Sequence, residues 1–199
     1  MFCLSTSCSF EKKHIMKTLF TIITSLITLF SFSQDSLRNR YSVATDLSPY
    51  AFNGYSLKLG ITPKSHPKYD LSVEVFSMEI PELVINLNSK NKDKDWKEKV
   101  NYGVALYGDK KLGEKRNSFW VGAGIVYLNQ TVSNPIEHNQ FNQLEILGRI
   151  NYKWFPFNNG FYINPYFALA GRQKIGGENG SYQLAPLMGF LSVYLSWEI

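Results

Sequence analysis

From Tyr41 onward the chain alternates between apolar and polar or small residues with a period of two, and this alternation constrains the fold most. In residues 119–127 the odd positions are apolar, while glycine occupies positions 122 and 124. Over 144–155, Glu145, Arg149 and Lys153 share one face and apolar residues share the other. A helix would scatter these charges around its surface, whereas a strand places successive side chains on opposite faces. The pattern therefore predicts an all-β protein.

The same alternation defines eight strands, separated by turns rich in Pro, Gly, Asn and Lys. Their expected bounds are about 41–48, 55–61, 69–80, 100–108, 118–129, 144–155, 161–172 and 184–199. Eight successive strands in one chain predict a single domain over 34–199, folded as an antiparallel up-and-down β-barrel.

Residues 1–33 are expected to be removed on export. Met16-Lys17 begins a short basic head, residues 19–32 are largely apolar, and Ser31 and Ser33 supply small residues before Gln34. This is the pattern of a signal peptide, and its apolar run is shorter than a spanning helix requires. We therefore expect Met16 to be the true start, with a membrane-anchoring helix as the less favoured alternative.

Cysteine and charge content exclude several kinds of site. Cys3 and Cys8 both precede Met16, so the exported chain is expected to have no disulfide, thiolate metal site or cysteine nucleophile. The formal net charge is +5 for the full sequence, and residues 34–199, with 18 basic and 15 acidic residues, have a net charge of +3. This excess is mild and scattered along the chain, so no nucleic-acid partner is expected.

Alternation alone does not decide which face of the barrel points outward. In a lipocalin-like soluble barrel the apolar face lines a cavity, whereas in an outer-membrane barrel it meets lipid and the polar face fills the lumen. The polar face here also carries small residues, including Gly60, Gly103, Ala105 and Ala168, which a narrow interior needs. We therefore favour the membrane barrel over the soluble barrel and, more remotely, over a sandwich.

Opposite charges on the polar face nearly balance, and enclosed charges must pair because an unpaired buried charge is costly. This predicts a plugged lumen with a polar network. Its expected members are Asp46, Lys58, Glu74, Glu145, Arg149 and Lys153. Aromatic residues on the apolar face cluster near strand ends, where rings with one wet edge lie at a lipid–water boundary. The expected interfacial residues are Tyr55, Tyr127, Trp154 and Trp197.

Connections at one end of the array are short, and at the other end they are mostly long, at 81–99, 130–143 and 173–183. With these loops, the eight alternating strands and the terminal strand 189–199, the chain resembles the small eight-stranded outer-membrane barrels of Gram-negative bacteria, such as the OmpA transmembrane domain and OmpW. The resemblance covers about residues 37–199 and implies an outer-membrane location and insertion by the barrel assembly machinery. Such proteins usually end on an aromatic residue, whereas this chain ends on Ile199 with Trp197 before it. The high Asn, Lys and Tyr content resembles that of Bacteroidota proteins.

Catalytic, cofactor and metal sites are not expected. Barrels that modify lipid A use His with Ser, but His66 lies in a turn and His138 has only Ser133 as a candidate partner. One histidine with scattered carboxylates is thin support for a metal site. Trp96, in the charged segment 90–99, is the residue there that solvation does not explain.

We therefore expect a non-enzymatic, porin-like outer-membrane barrel with a structural or surface-interaction role. Its expected partners are outer-membrane lipids, the barrel assembly machinery and an unidentified extracellular or periplasmic protein. Two alternatives stay open: a carrier or narrow channel for a small molecule, apolar or not, and an enzyme acting on outer-membrane lipid.

Overall fold

The computed structural model describes residues 38–199, in which eight strands form a closed antiparallel barrel in sequence order. The strands are β1 (Arg40–Asp46), β2 (Tyr55–Thr62), β3 (Tyr69–Ile80), β4 (Lys97–Lys111), β5 (Ser118–Ser133), β6 (His138–Lys153), β7 (Phe161–Gly177) and β8 (Leu187–Glu198). Two short helices, α1 (Leu47–Ala51) and α2 (Glu82–Asn86), lie in the connections. The predicted eight-stranded antiparallel barrel is confirmed. The predicted signal peptide lies outside the described residues.

The ring closes between its first and last strands. β1 pairs with β8 over Ser42–Asp46 and Tyr194–Glu198, and β1 pairs with β2 on its other side. The upper part of β8, from Leu187 to Val193, pairs with β7 but extends beyond the end of β1. Helix α1 lies beside this part of β8, where the Ser48 and Ser192 hydroxyls are hydrogen-bonded.

The barrel has a turn end and a loop end. The turn end holds the connections 63–68, 112–117 and 154–160, and the loop end holds 47–54, 81–96, 134–137 and 178–186. The prediction of long loops over 130–143 and 173–183 is wrong, because β5, β6 and β7 continue through most of these residues. The outward face of this taller wall is largely polar, and its inward face mixes Gln130 and Gln143 with Val132 and Phe141, so the apolar–polar alternation disappears while the backbone ladder continues.

Inward-facing glycines let large side chains cross the interior. A β-carbon on Gly122 would collide with the Asp109 carboxylate, and one on Gly124 would collide with the Tyr107 ring. An eight-stranded barrel has room for few large side chains, so small residues opposite them are required.

The hydrophobic core lies inside the barrel in two separate groups. The first group crosses the middle of the interior and comprises Val100, Ala105, Val126, Leu128, Leu147, Ala168 and Ala170. The second, which we call the mouth cluster, lies at the loop end and comprises Ile85, Trp96, Val132, Phe141 and Tyr182. Connections 81–96 and 178–186 both contribute to the mouth cluster, so the loops fold over the barrel mouth and pack there.

Candidate functional site

The centre of the lumen is crossed by a buried ion pair between Arg149 on β6 and Asp109 on β4. The Arg149 Nε donates to Asp109 Oδ1 at 2.9 Å, and Nη2 donates to Oδ2. Asn151 Nδ2 also donates to Asp109 Oδ1, at 3.2 Å. The guanidinium lies 3.8 Å from the centroid of the Tyr107 ring. Both side chains are buried, which removes their charges from water at a cost in free energy. The matched hydrogen bonds between guanidinium and carboxylate offset that cost.

A second lumen group surrounds Glu74 on β3. Its carboxylate accepts hydrogen bonds from Ser56 Oγ at 2.6 Å, Tyr194 OH at 2.7 Å and Tyr107 OH at 3.1 Å. The neighbouring Lys58 places its Nζ 4.4 Å from the centroid of the Tyr194 ring. The buried Lys58 charge is therefore held against an aromatic face, which favours a cation at this distance.

Asp46, at the end of β1, lies in the same half of the lumen. It accepts from Tyr166 OH at 2.6 Å and from Ser192 Oγ, and it caps α1 by accepting from Ser48 N at 2.9 Å. This set of bonds ties α1 to β8 and β7, on the side of the barrel where β1 ends early.

Towards the turn end, Lys153 on β6 reaches across to Asp70 on β3. Their Nζ and Oδ2 atoms are 2.8 Å apart, and Thr62 Oγ1 also donates to this carboxylate at 3.1 Å. The Lys153 Nζ lies 4.2 Å from the Trp120 ring centroid.

Towards the loop end, Arg172 on β7 bridges two carboxylates. Its Nε donates to Glu145 Oε1 at 3.0 Å, and its Nη2 donates to Glu98 Oε1 at 3.2 Å. Tyr182 OH donates to Glu98 Oε2 at 2.6 Å and so links this ion group to the mouth cluster. Burial, together with the negative Glu98 carboxylate, raises the pKa of the Tyr182 hydroxyl above its usual value.

The structure places all six residues of the expected polar network inside the barrel and joins them to partners that the sequence analysis missed. The missed charged partners are Glu98 and Asp109. Both had been assigned to connections, yet the register of β4 continues inward through each of them. Asp109 continues the inward-facing series of positions 103, 105 and 107 in steps of two, and this spacing could have identified it from the sequence.

The outer wall of the barrel is an apolar belt. Its exposed aliphatic members include Leu57, Leu59, Leu71, Val73, Val75, Val104, Leu106, Val121, Ile125, Ile146, Ile150, Leu169 and Leu191. Soluble proteins rarely expose a contiguous apolar surface of this kind.

Aromatic residues border this belt on both sides. Near the turn end lie Tyr41, Tyr69, Phe119, Tyr152, Trp154, Phe161 and Trp197, and towards the loop end lie Tyr55, Tyr102 and Tyr127. Of the expected interfacial residues, Trp154 and Trp197 are therefore placed at the turn-end border. Tyr55 and Tyr127 are placed at the loop-end border, with the Tyr127 ring 6.3 Å from that of Tyr102.

Directly above the Tyr102–Tyr127 pair, the outward face changes from apolar to polar. Asn101 Nδ2 donates to Asn129 Oδ1 at 2.9 Å, and Asn129 Nδ2 donates to Asn142 Oδ1 at 2.8 Å. Thr131 and Gln140 join the same group, which we call the amide collar. At the height of the amide collar, the outward side chains of the wall change from apolar to hydrogen-bonding.

The two histidines considered as metal-binding or catalytic residues, His66 and His138, lie at opposite ends of the barrel. Within residues 38–199 no three His, Cys, Asp or Glu side chains group as metal ligands, and no helix is both long and apolar enough to cross a membrane. His66 lies in a turn-end connection, 2.9 Å from Ser65 Oγ. His138 is exposed at the loop end, opposite Ser133 in the β5–β6 register, and no side-chain hydrogen bond joins the two in the described part of the chain.

Comparison with known proteins gives structural neighbours alone. No family model matches the chain, and no match was found among curated proteins. The N-terminal β-barrel domain of Pseudomonas aeruginosa OprF is similar, with 11% identity and a TM-score of 0.47, over 81% of this chain and 96% of that one. Neisserial surface protein A (NspA) is similar with 11% identity and a TM-score of 0.42, over 80% of this chain and 93% of that one.

Proposed function

We propose that this protein is an outer-membrane β-barrel with a closed lumen, and that its role is structural or lies in surface interaction, without catalysis. The observation that carries this proposal is the arrangement of the two faces. Three groups of buried ion pairs lie inside the barrel, while the outer wall is apolar between two aromatic borders. A soluble barrel would require the reverse, with charges outside and apolar residues inside.

The dimensions of the belt support this proposal. Along β5, the aromatic borders are represented by Phe119 and Tyr127. At about 3.3 Å per residue and a strand tilt near 40°, they are roughly 20 Å apart along the barrel axis, close to the ~25 Å apolar band of outer-membrane barrels. The amide collar above Tyr127 would then lie in the headgroup region.

The side chains that cross the lumen support a barrel that does not conduct. Arg149–Asp109, Lys153–Asp70 and Arg172 with its two glutamates occupy three successive heights. Above them the mouth cluster brings Trp96 and Tyr182 together under the loops. An ion crossing the barrel would have to break buried pairs, each of which is costly to separate.

Export and insertion form part of the same proposal. The signal peptide expected over residues 16–33 would deliver the chain across the inner membrane. Both ends of the barrel chain lie at the turn end, which we place on the periplasmic side, with connections 81–96 and 178–186 outside. Outer-membrane lipids and the barrel assembly machinery would be the partners.

Cell fractionation with a heat-shift assay tests the membrane proposal. Residues 16–199 are expressed in a Gram-negative host, and the outer-membrane fraction is run on SDS gels with and without boiling. We expect the protein in that fraction, with a faster band that shifts on boiling. Release with the soluble periplasm, with no shift, would overturn the proposal. Single-channel recordings test closure of the lumen, and we expect no steady conductance.

A second function, the binding of a small apolar molecule, is favoured by one cavity. A space of about 220 Å³ lies between the central ion groups and the loop end, lined in part by Phe76, Met78, Leu147 and Phe190. Apolar cavities of about 150 Å³ accept a benzene-sized molecule. Ser48 and Ser192 also line the cavity, so the seam between α1 and β8 adjoins it.

Titration of octanoate into methyl-labelled protein in micelles tests this second function. Specific binding shifts the methyl signals of Leu147, which faces the cavity, without shifting those of Leu169, which faces outward. Filling the cavity with Ala168→Phe should remove the effect, whereas Leu169→Phe should leave it. Equal shifts at both leucines would mean that octanoate only partitions into the micelle.

A further inference from the structure

The turn end of the lumen contains a pocket of about 280 Å³, which shares Thr62, Trp120 and Lys153 with the Lys153–Asp70 group described above. It lies where β1 begins and where β4, β6 and β8 end, and connection 112–117 forms one side. Its lining is dominated by cations. These are Arg40, Lys111, Arg116 and Lys153, with Glu114 and Glu198 as the acidic members.

Most of these charges are already paired. Arg40 Nη1 lies 3.2 Å from Glu198 Oε1, and Lys153 is bound to Asp70. Glu114 is paired on the outside of the pocket with Lys68, which with its hydrogen bond and charge lowers the pKa of the Glu114 carboxyl below its usual value. The two acids of the pocket are therefore both committed to other cations.

The other two cations of the pocket, Lys111 and Arg116, are not in ion pairs within residues 38–199. In the described residues no carboxylate oxygen lies within ion-pair distance of either side chain. Lys111 Nζ has only the Glu114 backbone carbonyl, at 3.5 Å. Arg116 donates to Asn158 Oδ1 at 3.4 Å, and its guanidinium stacks 4.3 Å from the Phe155 ring centroid, which fixes its plane.

The inner wall adds an unsatisfied donor. Trp120 is 4% exposed and lines the pocket, and its Nε1–H has no acceptor among residues 38–199. A buried donor without an acceptor is uncommon in a folded protein. A pocket with two uncommitted cations and a spare N–H suits a ligand that supplies several negative oxygens.

We infer that this pocket binds a phosphate group, held by Arg116 and Lys111. A planar guanidinium matches two phosphate oxygens at once, and an ammonium adds a point charge beside it. The phosphate could come from a soluble molecule or from a lipid headgroup near the turn-end aromatic border, and the test below separates these sources. The soluble source does not depend on membrane location, whereas the lipid source rests on the proposed function; in both cases the site lies at the turn end of the barrel.

Calorimetric titration of inorganic phosphate into the purified exported chain, in neutral detergent at low ionic strength, tests the site. We expect saturable binding to one site, weakened roughly tenfold or more by Arg116→Gln and by Lys111→Gln. Lys115→Gln is the matched control, because Lys115 is exposed in the same connection but does not line the pocket. Each substitution is at or beside a turn, so all three variants should retain the heat-shifted band.

Repeating the titration in phosphatidylglycerol nanodiscs identifies the source of the phosphate. Saturable binding in both media supports a soluble ligand, whereas binding in detergent alone supports a lipid headgroup that already fills the pocket. No saturable binding in detergent would overturn the inference, as would an equal loss for Lys115→Gln and Arg116→Gln. Fractionation of the same variants reports separately on the membrane proposal.

Discussion

The rings of Trp96 and Tyr182 meet edge to face, with 5.3 Å between their centroids and an angle of 76°. They belong to different loop-end connections, and both side chains are almost fully buried. Asn88 and Asn91 in the first connection also donate to the Gln183 carbonyl in the second, at 2.9 and 2.8 Å. The two connections therefore form one packed unit over the barrel mouth.

Trp96→Ala should release this unit while leaving the barrel intact. Removing a buried tryptophan typically costs about 3–5 kcal/mol, and here the loss falls on loops that can open locally. Limited proteolysis of the variant reconstituted in lipid vesicles should cut connections 81–96 and 178–186 faster, with the heat-shifted band retained. Leu87→Ala is the control, because Leu87 lies in the same connection but is 80% exposed. Unchanged cleavage in Trp96→Ala would show that the cluster does not hold the loops.

Breaking the central ion pair should cost more than removing both of its members. Arg149→Met leaves the Asp109 carboxylate buried without its main partner, which typically costs about 3–5 kcal/mol. Adding Asp109→Leu should recover much of that loss, because no unpaired charge then stays inside. Urea unfolding in lipid vesicles measures both variants. If the double variant were as unstable as the sum of the single variants, the pair would not be coupled.

Arginine on the outer wall should destabilise the protein according to its height. Ile125 lies within the apolar belt at 53% exposure, and Ile136 lies at the tip of the β5–β6 hairpin at 90% exposure. In a membrane, Ile125→Arg should cost about 2–4 kcal/mol and Ile136→Arg about 0–1 kcal/mol. Unfolding in vesicles measures the difference. A soluble barrel would tolerate both substitutions equally, since both side chains would already face water.

Glu137 should titrate below the ordinary range of a glutamate. Ser181 donates to it from both its hydroxyl and its backbone amide, and these bonds lower the pKa of the Glu137 carboxyl. A lowered folded-state pKa means that the contact stabilises the fold above the unfolded-state pKa and is lost as pH falls through the folded-state value. The link between connections 134–137 and 178–186 should therefore weaken below about pH 4.

Carboxyl chemical shifts across an acid titration in micelles would check this pKa. In Ser181→Ala one of the two hydrogen bonds disappears, so the Glu137 midpoint should rise towards the ordinary value. An unshifted Glu137 midpoint in the wild type would contradict the hydrogen-bonded arrangement.

The sequence predicted the barrel wherever one face was apolar and the other was not. Residues such as Leu57 and Lys58 on β2 alternate because one meets the outside and the other the lumen. Prediction failed above the belt, where Thr131 and Gln140 face water outside while Gln130 and Gln143 are buried inside. With a largely polar outward face and an inward face of mixed polar and apolar residues there is no apolar–polar period to detect, although the backbone pairing is unchanged.

The candidate sites were predictable to different extents. The alternation of side chains along β6 and the balance of charges predicted that Arg149 faces inward. Identifying its partner Asp109 required knowing where β4 ends, and strand ends are the least predictable feature of a sequence. In the charged segment 90–99 the sequence singled out Trp96 only as a residue that solvation does not explain, and the structure buries it in the mouth cluster. The turn-end pocket had no sequence signal, because Arg40, Lys111 and Arg116 come from separate segments that meet only in the closed ring.

Closure of the ring by β1 and β8 has a kinetic consequence. The first strand has its second partner only after the last strand has been made, so no earlier intermediate can satisfy both edges of the sheet. Contacts this distant in sequence are slow to form, and an open edge invites pairing with other chains. A chain that stops short of Tyr194 should therefore leave this edge of β1 unpaired, and should aggregate or be degraded.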